Sequence, residues 1–206
     1  MAVTTGRADE QTGEAEAVRL EPNPALRAMV LLGINCGFGN TDCATLPMSA
    51  LSLDSGWLDY PRPKTGIGRR VPLWPETVAA IRRAIAVRPE PADHESSGLV
   101  VLTSIGTPWL RPSASYRSDQ LTKRFIEVLQ KLRMHRERFG FYTLRHVFRT
   151  VADAARDTPA VDLIMGHADH SMRDHYVERI EDDRLRAVTD HVRNWLFPTE
   201  TPTDTA

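Results

Sequence analysis

Cysteine is scarce: the 206-residue chain has two, Cys36 and Cys43, with no second pair. That excludes a disulfide framework and a zinc knuckle, and it fits a reducing cytoplasm best. Long apolar runs are lacking too. No stretch approaches the roughly 18 consecutive apolar residues of a membrane span, and no charged N-terminal region leads into an apolar core as in a secretion signal. The sequence therefore reads as a soluble cytoplasmic protein with no membrane partner. Internal repeats are missing, and the one biased block is the Thr/Pro-rich end, residues 198–206, read as a disordered tail. Net charge is almost absent, at -1.

A balanced total argues against a polyanionic partner only if the charge is spread evenly, and it is not. Residues 1–61 carry 3 basic and 8 acidic side chains, residues 62–149 carry 17 and 7, and residues 150–206 carry 6 and 12. A basic middle between acidic flanks suits a surface that meets phosphates, because polyanion binding follows the local field. Its bland counterpart is a set of solubilising helix-surface arginines.

With 41% hydrophobic residues the chain can build one core of ordinary size. Residues 1–22 are polar and acidic and read as a disordered leader; one domain is expected over 23–197. Asn23 followed by Pro24 marks a helix start with a cap and a proline at the first helical position, leading into the apolar run Met29 to Leu32. Gly37, Gly39 and Asn40 break that run before a second, short helix near Thr41. From Leu51 the period shortens. Leu51, Leu53, Trp57 and Leu58 around Asp54-Ser55-Gly56, then the turn Pro63 to Gly68 and the return Arg69 to Leu73, predict about three antiparallel strands with Lys64 near a hairpin tip.

The remainder reads as helical: 75–87, 118–134, 143–155, 160–165 ending at Gly166, and 181–196, with a short apolar segment at 99–102. The predicted class is α+β, mostly helical with a small antiparallel sheet. In the last helix Leu185, Val188, Val192, Trp195 and Leu196 share a stripe. Core packing is its simplest use, and docking on another protein is the alternative.

Three segments carry the chemistry: Tyr142-Thr143-Leu144-Arg145-His146, Met165-Gly166-His167, and His175-Tyr176, with Tyr176 nine residues after His167. Their order and spacing resemble the catalytic domain of the tyrosine recombinases, the phage integrase family. That family has a His-x-x-Arg-His box, a Leu-Gly-His box and then a nucleophilic tyrosine. Upstream, Pro63-Lys64-Thr65-Gly66 and Arg70-Val71-Pro72-Leu73 resemble the family's lysine-bearing turn and the strand after it. The segment from Leu31 to Asp42 resembles the helix and turn that bear its first catalytic arginine. Aligning Gly37 with the turn glycine puts Gly39 where that arginine is expected and Asp42 at the acidic position that supports the active-site arginines. Tyr142 stands where the box has histidine.

The resemblance implies DNA strand cleavage and joining through a 3′-phosphotyrosine, without cofactor or metal. Its implied roles are Tyr176 as nucleophile, Arg145 as phosphate clamp, His167 as hydrogen-bond donor and Lys64 as general acid. Tyr142 and Asp42 complete the catalytic set, and Arg69, Arg70 and His146 are expected to contact DNA. These residue types suit the task. A phenol with a pKa of about 10 is roughly 0.1% ionised at neutral pH. Paired guanidiniums neutralise the phosphate and the charge that develops on it. The expected partners are double-stranded DNA and, through 181–197, other recombinase protomers.

Family members also carry a separate helical DNA-clamping domain, and the short leader here implies that it is absent. Gly39 argues for weak activity of the chain alone. The alternative is a catalytically degenerate module that binds DNA or another recombinase. A metal site at His167, His170 and His175 is disfavoured, since their spacing does not put all three on one helical face.

Overall fold

A computed structural model of the chain describes residues 23–111, 118–167 and 180–198. Tyr176, His170 and His175, the leader and residues 199–206 lie outside them. Asn23 opens helix α1 (Pro24–Cys36): its Oδ1 accepts from the N–H groups of Ala25 at 3.0 Å and Leu26 at 3.1 Å. These are orphan donors of a helix start, and Pro24 fills a position where no donor is needed. From Ala28 to Cys36 every residue of α1 is buried, as expected of a central core helix. It packs most extensively on α3 (Pro75–Ala86) and then on α5 (Thr143–Ala152). Gly33 permits the second approach, since a Cβ there would lie 2.9 Å from Leu144 Cδ1. Gly37, at φ 61°, closes α1 in the left-handed conformation, and the chain re-enters helix at α2 (Asn40–Ala44).

Strands β1 (Leu51–Ser52), β2 (Trp57–Asp59) and β3 (Arg70–Pro72) form the expected three-stranded antiparallel sheet in the order β1-β2-β3. Leu58 pairs with Leu51 on one side and with Val71 on the other. Hydrogen bonding continues past β2 and β3 through Tyr60 N to Arg69 O at 3.1 Å and Arg62 N to Ile67 O at 2.8 Å. Residues 60–69 are therefore a long hairpin with Lys64 at its tip. Asn35 ties this sheet to the core. Its Nδ2 donates to Pro72 O at 3.1 Å, and its Oδ1 accepts from Trp74 N at 2.9 Å. Trp74 Nε1 in turn donates to Thr189 O at 3.0 Å, in helix α7 (Asp182–Leu196).

The other elements depart from expectation mainly at their ends. A two-stranded ribbon, β4 (Leu110–Arg111) with β5 (Ser118–Asp119), takes the first residues assigned to a helix, and α4 is Gln120–Lys131. Asp119 explains the shift: its Oδ1 accepts from Thr122 N at 2.9 Å, so the cap lies inside the expected helix. The far end stops before Met134, and Arg133 adopts φ 57°. Helix α5 gives way to a 3-10 turn at Asp153–Ala155. Residues 99–102 form no strand, and Leu99 makes an isolated bridge to Pro47. Helix α6 (Thr158–Met165) ends on Gly166 at φ 63°, as expected. In α7 the buried stripe Leu185, Val188, Val192 and Leu196 lies in the chain's own core. Core packing thus accounts for that stripe. No helix of the described residues is long and apolar enough to cross a membrane.

Candidate phosphate-binding cleft

Two neighbouring arrangements bring the candidate residues together. The first is the turn into α2. Asp42 folds back so that its Oδ2 accepts from Gly39 N at 2.8 Å, while its Oδ1 lies 3.0 Å from Arg69 Nη2. Arg69 is buried, with its guanidinium carbon 4.2 Å from the centre of the Phe38 ring. Its Nε donates to Tyr60 O at 2.9 Å. Burial lowers the Arg69 pKa, and the Asp42 carboxylate opposes that shift. A carboxylate, a cation and an aromatic face thus lie together below the surface, with Arg69 Nη1 left without a hydrogen-bond partner among the described residues, so Arg69 acts on this turn through Asp42. Above Gly39 lies the Tyr142 ring, because a Cβ at 39 would sit 3.0 Å from Tyr142 Cε2 and 3.2 Å from Cδ2.

The second arrangement surrounds the C-terminus of α6. Arg145, one turn into α5, is 2% exposed. Its Nη1 donates to Gly37 O and its Nη2 to Met165 O at 2.9 Å. The same Nη2 lies 2.9 Å from His167 Nε2. A guanidinium has no acceptor, so this Nε2 carries the lone pair and the imidazole proton belongs on Nδ1, which faces Asp162 Oδ1 at 3.3 Å. Asp162 is held in turn by Arg149 Nη1. Burial holds the His167 pKa below the usual histidine value, the Arg145 charge adds to the effect, and the Asp162 hydrogen bond opposes it.

Between the hairpin, the turn into α2 and the start of α5 lies a cleft of about 790 Å³, lined by Gly39, Asn40, Thr41, Asp42, Arg62, Pro63, Lys64, Asp119 and Tyr142. Of the expected catalytic residues, Lys64, Asp42 and Tyr142 line it. Arg145 and His167, which touch each other, are not among its lining residues. His146 is exposed and stacks edge-on against Tyr142 with ring centres 5.1 Å apart. Arg70 is turned elsewhere: it bonds Asp182 at 2.8 Å and Asp59 at 2.9 Å and lies over Trp57.

Sequence reasoning passed over Arg62, which lines the cleft and whose Nη1 donates to Gly166 O at 3.4 Å. Its position two residues before Lys64 on the same turn was the available signal. Asp162, which orients His167, was missed as well; five residues before that histidine, it lies in α6 with no motif to mark it.

A mostly helical domain with a three-stranded antiparallel sheet is the architecture of tyrosine recombinase catalytic domains. The crystal structure of XerA recombinase matches with a TM-score of 0.62 at 17% identity, over 90% of this chain and 63% of that one. The Tn1549 transposon integrase, solved in complex with a circular intermediate DNA, matches with a TM-score of 0.61 at 17% identity, over 92% of this chain and 65% of that one. An integrase from mycobacterium phage Brujita matches with a TM-score of 0.53 at 14% identity, over 87% of this chain and 61% of its own. The chain thus spans about two thirds of the length of these solved relatives. No curated protein matches it. Residues 16–182 match the phage integrase family, and the chain belongs to that family.

Proposed function

We propose that this chain cleaves and rejoins DNA strands through a 3′-phosphotyrosine on Tyr176. The observation that carries this reading is the Arg145 and His167 contact at 2.9 Å beside a cleft that also holds Lys64. In the proposed step the Tyr176 phenol gives its proton to solvent water, and its oxygen bonds to the phosphorus. The bond from phosphorus to the 5′ oxygen breaks, and Lys64 protonates that oxygen. The energy of the broken linkage is kept in the phosphotyrosine, so rejoining needs no nucleotide, cofactor or metal.

Gly39 qualifies the reading. Where the family has an arginine this chain offers no side chain, so the phosphate loses one buried, preorganised cation. Loss of one such donor commonly costs about 10²- to 10³-fold in rate, and strand transfer is accordingly weak. The experiment is covalent capture on a nicked duplex, with a helical clamping domain supplied in trans because the chain spans only part of its solved relatives. Wild type should give a slow protein–DNA adduct that Tyr176→Phe abolishes. Adduct surviving Tyr176→Phe would remove the nucleophile assignment.

The second reading is a catalytically degenerate module that binds DNA or another recombinase. Two observations favour it: the Tyr142 ring covers Gly39, and the Arg145 donors are engaged by Gly37 and Met165 carbonyls. Wild-type binding to duplex DNA with no adduct under any condition would select it.

A further inference from the structure

A phosphodiester held for in-line attack needs cations on its non-bridging oxygens, and Arg145, with two of its nitrogens engaged by backbone carbonyls, supplies one guanidinium at most. From the hairpin, Arg62 reaches the same place. Its Nη1 donates to Gly166 O at 3.4 Å, one residue along the chain from the Met165 carbonyl that accepts from Arg145 at 2.9 Å. Thr65 Oγ1, on the same turn, also donates to Gly166 O at 3.3 Å, which docks the hairpin tip on the end of α6. The turn is internally fixed, with Gly66 N bonding Arg62 O at 2.8 Å and Arg62 N bonding Ile67 O at 2.8 Å. Arg62 also lines the cleft alongside Gly39, Lys64 and Tyr142.

We infer that Arg62 is the second phosphate-contacting arginine of this site, taking the part that Gly39 leaves empty from the opposite wall of the cleft. The electrostatics agree with the geometry. After burial, the Arg62 charge is the largest influence lowering the Arg145 pKa, and Arg62 also depresses His167. Like charges that act on one another repel, and an anion bound by both relieves that repulsion. Arg62 stands on a hairpin and is half-exposed, whereas a side chain from the turn into α2 would be rooted in the core. It is therefore a less preorganised donor, consistent with weak rather than absent strand transfer. The inference rests on the strand-transfer reading, and its test separates the two.

Inorganic phosphate is titrated against the wild type, Arg62→Ala, Arg62→Lys and the exposed-cation control Arg83→Ala, following the arginine side-chain NMR signals. Arg62→Ala should weaken phosphate binding at least several-fold, Arg62→Lys should recover part of it, and Arg83→Ala should leave it unchanged. Equal affinity in wild type and Arg62→Ala overturns the proposal whatever the adduct assay gives. Phosphate binding that depends on Arg62, without a wild-type adduct, retains the anion site and removes the strand-transfer reading. With adduct formation measurable, Arg62→Ala should lower its rate roughly 10- to 100-fold on an ordinary duplex. The loss should be far smaller on a duplex whose scissile phosphate carries a methyl group in place of one non-bridging oxygen, and hence no charge. The same loss on both substrates would assign Arg62 to general DNA attraction and overturn the proposal.

Discussion

Gly39 and Tyr142, the two positions expected to depart from the family pattern, lie against each other. An ideal Cβ at 39 meets the Tyr142 ring at 3.0 Å, so each residue fits the other as it stands. Gly39 has φ -94°, a backbone that any residue adopts, and the obstacle to a side chain there is the ring alone. Gly39→Arg by itself should therefore displace Tyr142 and raise adduct formation little, whereas Gly39→Arg with Tyr142→His should raise it by about tenfold or more. Equal rates from the single and double variants in the covalent-capture assay would show that the ring is no obstacle.

His167 gives a second expectation at this scale. Its pKa is depressed by burial and by Arg145, so between the folded value and about 6.5 the unfolded chain binds more protons. Its contribution to stability is then full above about 6.5 and is lost as pH falls through that window. Imidazole NMR should find His167 neutral at pH 7 in the free protein, titrating higher when phosphate is bound and lower in Asp162→Asn, which removes the opposing carboxylate charge. A titration unmoved by phosphate would deny His167 a place at the anion. A donor role for Nε2 would require that gain of a proton, since Nε2 now accepts from Arg145.

Among the elements, α1 and the sheet are joined by one buried amide. Asn35→Ala removes both of its hydrogen bonds and leaves Trp74 N–H and Pro72 C=O without their partner at 0% exposure of the lost side chain. Thermal or urea unfolding should show a loss of about 2–4 kcal/mol; a loss below about 1 kcal/mol would mean that water replaces the amide. What the sequence disclosed followed the same physics. Asn23-Pro24, the apolar α1, Gly37 and Gly166 were legible because caps and periodicity act locally. The start of α4 was misplaced because Asp119, three residues before Thr122, competes as a cap with the apparent helix start at Ser118. Asn40 shows why the site was only partly legible. Its Nδ2 bonds Asp119 Oδ2 at 2.9 Å and Thr122 Oγ1 at 2.7 Å, pairs about 80 residues apart that no local pattern announces. Motifs located Lys64, Arg145 and His167, whereas Arg62 became visible only once the hairpin was folded onto α6.

At the scale of the whole molecule, charge has to be weighed by how it is engaged. Many cations of the basic middle are in ion pairs: Arg70 with Asp59 and Asp182, Arg82 with Asp54, Arg124 with Glu127, and Arg149 with Asp153 and Asp162. Such pairs weaken the field that a polyanion meets, so the excess of ten basic residues over 62–149 overstates the charge available to DNA. Arg62 and Lys64, which share a hairpin tip and a cleft, are the part of that excess that the fold concentrates. Backbone contacts position a duplex without reading its sequence. Binding should therefore be salt-sensitive and weakly selective, with log affinity falling against log salt by roughly 0.9 for each phosphate neutralised. Fluorescence anisotropy with a labelled duplex should show that Arg62→Ala and Lys64→Ala each flatten this slope by about 1. Arg70→Ala, whose guanidinium is engaged by two carboxylates, should leave the slope nearly unchanged. An equal flattening by all three would mean that DNA recruits Arg70 out of its ion pairs, and absence of binding at low salt would remove DNA as the partner under either functional reading.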